Sequence, residues 1–204
     1  MTHKNINRFE KTEKLFREHD GLLRTSQVLA LGTAPATLYE MRDEGILVQE
    51  SYGLYRLADI PPLSHPDFVK VALQVPKAVV CLISALSFHE LTTQIPDKVH
   101  IALPKGTKRP RIDYPPIDVV HVSGDAYSAG IENHTLDGKK VRIYSSEKTI
   151  ADCFKFRNKI GKNIAIEALQ DYMRLPGVSL DTLRAHARTN RVENVMNPYL
   201  EALL

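Results

Sequence analysis

The stretch TAPATLYEMRDEGILVQESYGLYRL, residues Thr33–Leu57, carries two different periodicities separated by one glycine. Thr33 can cap a helix with Pro35 in its first turn, where a missing N–H costs nothing. On that helix Ala34, Leu38, Met41 and Gly45 fall on one face at i, i+4, i+7 and i+11. Ala36, Tyr39, Glu40 and Asp43 are left facing outward. After Gly45 the runs Ile46–Glu50 and Leu54–Leu57 flank the short SYG turn, which predicts two strands around a tight loop.

Upstream, Ile6–His19 places Phe9, Leu15 and Phe16 on one helical face, and Gly21 ends the pattern. A short second helix is signalled by Thr25 or Ser26 as cap ahead of Val28, Leu29 and Leu31, with Gly32 as the break. Three helices, the last two joined by a tight turn, followed by a hairpin describe a winged helix-turn-helix, whose third helix enters the DNA major groove. Reach then assigns expected contacts. Thr33, Ala36, Thr37 and Tyr39 approach base edges, and Thr25, Ser26 and Gln27 approach phosphates. Tyr52 and Arg56 do the same from the wing. Glu40 and Asp43 oppose this, because a carboxylate repels phosphate unless it accepts from a cytosine amino group. A winged module that meets only another protein is the alternative.

Charge is divided unevenly. Residues 1–59 hold 8 Lys and Arg against 9 Asp and Glu, a net of −1, whereas residues 60–204 hold 19 against 15, a net of +4. Phosphate neutralisation supplies most non-specific DNA affinity, so the reading module is not a simple electrostatic clamp. The segment ADIPPLSHPD, 58–67, carries three prolines and reads as a junction. The expected domains are a winged helix-turn-helix DNA-binding domain over 1–59 and an α/β domain over 60–204.

In the second domain, Pro66–Gln74 and Val79–Leu91 read as apolar helices, the latter apolar on nearly every side. Strands are expected around Val99–Leu103, Ile117–Val122 and in KKVRIY, before a helix starting at Ser145 or Ser146 and a mostly helical tail with breaks at Gly161, Pro176 and Gly177. The fold class is mixed α+β: a winged helix-turn-helix, then an α/β domain with a small sheet and a helical tail. Between two of the strands, PKGTKRPR clusters Lys105, Lys108, Arg109 and Arg111 in a loop that could grip phosphates or meet an acidic partner.

Several function classes are disfavoured. No apolar run approaches the roughly 20 residues of a membrane span, and MTHKNINRFEK lacks the apolar block of a secretory signal, so a cytoplasmic protein is expected. Cys81 and Cys153 lie far apart, away from metal-ligand spacing, and read as buried reduced thiols. His89 and Glu90 lack a second ligand pair and read as surface or capping residues. A metal-dependent nuclease is the competing class, with Asp97, Asp113, Asp118, Glu132 and Asp137 near the expected sheet. It lacks the acid, spacer, lysine arrangement on adjacent strands, and neither a Gly-rich phosphate loop nor a nucleophile elbow is present. The expectation is no catalytic residue, no cofactor and no metal.

The winged module stands together with CLISALSFHELTTQIPDKVHIALPKG, 81–106, and IYSSEKTIADCFKFRNKIG, 143–161. In this combination the chain resembles the AbiEi family of antitoxins from bacterial abortive-infection, type IV toxin–antitoxin systems. The resemblance covers nearly the whole chain, and its specific pieces are SFHELT, IALPKG and the SEKTIADC helix start. It implies a phage-defence antitoxin and transcriptional repressor whose amino-terminal domain binds inverted operator repeats. It further implies a carboxy-terminal domain that counteracts a nucleotidyltransferase-like toxin encoded alongside. The motif match puts the DNA role on Thr25–Arg56.

Overall fold

A computed structural model describes residues 3–204, and the chain divides into two compact units, Met1–Pro66 and Asp67–Leu204. The first unit contains α1 (His3–Arg17), β1 (Leu22–Arg24), α2 (Thr25–Ala30), α3 (Pro35–Asp43), β2 (Leu47–Ser51) and β3 (Leu54–Leu57). It is a winged helix-turn-helix. Phe9, Phe16, Val28, Leu38, Met41, Leu47 and Leu57 form its core. Full burial of such side chains contributes roughly 1.5–3 kcal/mol each.

Two details differ from the sequence expectation. The strand β1 pairs with β3, so the sheet order is β1-β3-β2 and β3 is central rather than half of an isolated hairpin. Ala34, not Thr33, caps α3, and it does so without a side-chain bond. Pro35 causes this: it disfavours helical backbone in the residue before it, and Ala34 is extended at φ −73, ψ 145. Ala34 is therefore exposed, and Thr37 joins Leu38 and Met41 on the buried face.

The second unit runs α4 (Pro66–Gln74), β4 (Val79–Val80), α5 (Leu82–Phe88), β5 (Val99–Pro104), β6 (Ile117–Val122), α6 (Asp125–Ser128), β7 (Ile131–Leu136) and β8 (Lys139–Tyr144). It ends in α7 (Ser146–Lys155), α8 (Arg157–Ile160), α9 (Lys162–Arg174), α10 (Leu180–Thr189) and α11 (Glu193–Glu201). The five strands form one mixed sheet of order β6-β5-β4-β8-β7. Val99, Ile101 and Leu103 point to one face with Val71 of α4, and Ala102 points to the other with α5, α7 and α9, as a period of two requires.

The expected helix Val79–Leu91 is corrected to a strand and a shorter helix. Val79 and Val80 pair antiparallel with β5, and Val80 pairs parallel with β8, which makes β4 the middle of the sheet. A short apolar run fits a buried strand as well as a buried helix. α7 is the centre of the packed helices: Lys148–Phe154 are all buried, and Ser145 Oγ accepts from the Lys148 N–H at its start. Gly130 permits the close approach above it, since a Cβ there would lie 2.6 Å from Lys148 Cβ. Among the described residues no helix is long and apolar enough to cross a membrane.

Candidate nucleic-acid interface

The helix-turn-helix is held by backbone geometry. Gln27 Oε1 accepts from the Arg24 N–H at 2.9 Å, which starts α2, and the turn closes through Gly32 N–H to Leu29 O and Thr33 N–H to Val28 O. Gly32 has φ +89, a conformation that glycine adopts without steric penalty. The wing is tied to the same structure, because the Thr25 N–H donates to Gly53 O at 2.8 Å in the β2–β3 turn. Sequence-distant positions are thereby gathered.

Thr25, Tyr39, Arg42, Gln49, Tyr52, Gly53 and Tyr55 surround one concavity of about 310 Å³. Three of the expected contact residues, Thr25, Tyr39 and Tyr52, meet here. Tyr52 is 86% exposed and Tyr39 50% exposed. Ser26, Gln27 and Ala36 are also exposed, on α2 and α3. Thr33 is half-buried, its Oγ1 3.4 Å from Thr12 Oγ1 of α1.

Two expected contacts are not presented to solvent. Thr37 is 3% exposed, on the packing face of α3, so its hydroxyl cannot reach a base edge without unfolding the helix. Arg56 is 7% exposed. Its Nε donates to Glu50 Oε1 at 2.7 Å, and its Nη1 donates to the Leu57 and Ile60 carbonyls. That guanidinium fastens the wing to the chain after it, which a central strand demands and an exposed hairpin arm would not.

Arg42 was not among the expected residues. Its guanidinium lies 5.5 Å from the Tyr39 ring centroid, and it grips Asp43 Oδ1 through Nε and Nη2 at 2.9 and 2.7 Å. The signal was its position three residues after Tyr39, on the same helical face. Gln49, exposed on β2, is the second addition. The two opposing acids are both paired, Asp43 with Arg42 and Glu40 with Arg8 of α1. The exposed face of α3 thus carries less unbalanced negative charge than its sequence suggests.

In the second unit Lys105, Lys108, Arg109 and Arg111 all lie exposed on the β5–β6 connection. Arg109 Nη2 donates to Ile117 O at 3.1 Å, and His121 Nε2 donates to Thr107 O at 2.8 Å, so the loop is anchored at two points. None of the four cations has an ion-pair partner among the described residues.

The acids that suggested a nuclease are dispersed. Asp118 accepts from Lys159 Nζ at 2.7 Å, Glu132 lies 3.0 Å from His134 Nε2, and Asp97 is 3.9 Å from Lys98 Nζ. Among the described residues no three His, Cys, Asp or Glu side chains converge to hold a metal. Ser84, His100 and Asp118 do line up, with Ser84 Oγ 3.2 Å from His100 Nδ1 and His100 Nε2 3.9 Å from Asp118 Oδ2. The serine is nevertheless wholly buried, accepting from the His100 N–H at 2.9 Å and donating to Lys98 O at 3.2 Å. Both its hydrogen-bonding roles are structural. Burial likewise pushes both the Cys81 and Cys153 thiols up, away from the reactive thiolate.

Comparison with known proteins agrees with this architecture. Residues 10–58 match the family of transcriptional regulators described as AbiEi antitoxin, as the motif resemblance implied, and the matched segment lies within the winged unit. No curated protein matches the chain. Among solved structures the fold is shared with the RV2827C protein from Mycobacterium tuberculosis, at a TM-score of 0.57 and 17% identity, over 100% of this chain and 82% of that one. At such identity the likeness concerns fold alone.

Proposed function

We propose that this chain is the antitoxin and autorepressor of a bacterial type IV toxin–antitoxin operon that acts in phage defence in the cytoplasm. The observation that carries the reading is the AbiEi regulator match over residues 10–58, the segment that folds into the winged unit. In this reading operator repeats are read by α3 and the wing through Ala36, Tyr39, Arg42, Gln49 and Tyr52. Thr25, Ser26, Gln27 and Thr33 set the helix against the phosphate backbone, which is how such contacts position a reader. Lys105, Lys108, Arg109 and Arg111 add the sequence-independent attraction that a winged unit of net charge −1 does not supply.

The second unit counteracts a nucleotidyltransferase-like toxin encoded alongside, and the chain performs no catalysis of its own. Two measurements test this. Affinity for the DNA upstream of its own coding sequence should exceed affinity for a scrambled duplex and fall steeply with salt. Co-expression should restore growth to cells carrying the neighbouring toxin. No measurable affinity for either duplex would favour a winged module that binds only protein, and equal affinity for the two would remove the operator-specific role. Failure of the folded, expressed chain to protect would remove the antitoxin role.

A further inference from the structure

A cleft of about 520 Å³ opens in the second unit between the β6–α6 turn, the end of α7 and the α10–α11 turn. Its size suits a small molecule. Lys155 and Arg191 line it from two different elements, and neither has an ion-pair partner among the described residues. Two cations share one cleft with no carboxylate clamped to either. Burial, with added repulsion from Lys148 and Arg191 against the attraction of Asp152, holds the Lys155 ammonium below its ordinary range. An anion entering the cleft would relieve that repulsion.

The floor of the cleft is a built feature. Asn190 is 3% exposed, and its Nδ2 donates to Asp152 Oδ1 at 2.7 Å. Asp152 in turn holds Lys148 Nζ at 2.5 Å, so the Asn190 amide cannot turn over without breaking a buried charge network. Its Oδ1 is left buried with no donor. An acceptor in that state carries an uncompensated desolvation cost. Asp125 adds a second acceptor to the lining, and Ser123 and Thr189 add hydroxyls. No aromatic ring lines the cleft, so a nucleobase would find no stacking surface.

Cations for a phosphate, fixed acceptors for hydroxyls and no aromatic surface define one ligand chemistry. We infer that this cleft binds a phosphorylated ribose or a similar sugar phosphate, with Lys155 and Arg191 on the phosphate and Asp125, Ser123 and Thr189 meeting its hydroxyls. Such a ligand could be free or part of a nucleotide. The cleft shares no residue with the DNA-reading set proposed above, so it stands or falls independently of that set.

Calorimetric titration of the full chain tests the assignment with four probes: ribose 5-phosphate, uridine 5′-monophosphate, ribose and inorganic phosphate. Ribose 5-phosphate is expected to bind saturably at one per chain, at least tenfold tighter than inorganic phosphate, with ribose binding undetected. Lys155→Gln and Arg191→Gln should each weaken it tenfold or more while Arg191→Lys retains most of the affinity. Both side chains lie at the surface, and an unchanged thermal midpoint verifies that the variants fold. Tighter binding of the nucleotide than of the sugar phosphate identifies a nucleotide as the source, and the reverse order identifies a free sugar phosphate. Absence of saturable binding by both, inorganic phosphate binding as tightly as ribose 5-phosphate, or unchanged affinity in the two Gln variants would overturn the inference.

Discussion

The two units differ in how far their cations are matched to acids, although the second unit also pairs Lys159 with Asp118, Arg174 with Asp171 and Arg188 with Glu193. In the winged unit four arginines are matched to acids of the same unit: Arg8 to Glu40, Arg17 to Glu13 and Asp59, Arg42 to Asp43, and Arg56 to Glu50. In the second unit Lys105, Lys108, Arg111, Lys155 and Arg191 have no such partner among the described residues, while Lys148 and Asp152 are sealed in the core. Arg56–Glu50 is largely buried, but the other pairs are exposed and contribute little stability, about 0–1 kcal/mol, so they mainly set the outward field of the unit. The lesson is that discrimination between sequences and general attraction to phosphate need not reside in the same unit. Under the proposed function, a reader with a quiet field would depend on shape and base contacts, with the free cations of the second unit adding general affinity.

The largest effect should come from the sealed pair. Lys148 is wholly buried and Asp152 is 1% exposed, and Asn190 also donates to that carboxylate. Asp152→Ala leaves an ammonium in the core with no counter-charge, which costs about 3–5 kcal/mol. Urea denaturation reads this directly, and a loss below about 1 kcal/mol would mean that water reaches Lys148. The exposed pairs of the winged unit should behave differently, with Glu13→Ala altering stability by less than about 1 kcal/mol.

Next in size is the reading face. Tyr39→Ala and Arg42→Ala should each weaken specific operator binding by about 1–3 kcal/mol if they touch bases. Thr37→Ala should leave operator affinity within about twofold and lower stability instead, since Thr37 packs with Leu38 and Met41. Anisotropy titrations on operator and scrambled duplexes separate the two. Loss of affinity in a Thr37→Ala variant of unchanged stability would return that side chain to the interface.

The third helix and wing were legible because Leu38 and Met41 repeat at the helical period and Leu54–Leu57 follow a glycine turn. The burial of Arg56 was hidden because β1 is only three residues long and gives no periodic signal, so β3 reads from sequence as an edge with one open side. β7 escaped because IENHTL is polar and half exposed at the sheet edge. Its signal lay in Asp137-Gly138, which both adopt positive φ, at 49° and 73°, and close the hairpin to β8. The basic loop was visible as composition, whereas the cleft was not: Ser123, Lys155 and Arg191 converge only through tertiary packing.

The free cations offer a subtler test. Replacing Lys105, Lys108, Arg109 and Arg111 together by alanine should weaken binding to operator and scrambled DNA alike. It should also reduce the slope of log affinity against log salt by up to about 0.9 for each phosphate that is no longer neutralised. Identical slopes in variant and parent would reassign the loop to solvent or to a protein partner, and a weakening confined to the operator would place it among the base-reading groups.

The smallest expected effect concerns pH and again separates the units. Burial lowers the pKa of His100, against the attraction of Asp118 and with added repulsion from Lys159. Burial also lowers that of His186, reinforced by Lys148 and opposed by Glu147 and Asp152. Both histidines belong to the second unit. A histidine whose folded pKa lies below its unfolded value of about 6.5 takes up its proton more readily in the unfolded chain, so stability is lost as pH falls through that value. The shifted carboxylate of the winged unit, Asp59, is lowered by its hydrogen bond from Arg17, and its contribution is lost only at more acid pH. Between about pH 7.5 and 5.5 the thermal midpoint of the second unit should therefore fall, and a His100→Gln, His186→Gln double variant should show a smaller fall. Peptide-resolved hydrogen exchange assigns the change to one unit or the other. A decrease of equal size in parent and double variant would show that the two imidazoles are hydrated in the folded chain, leaving the pH response to groups that the two units share.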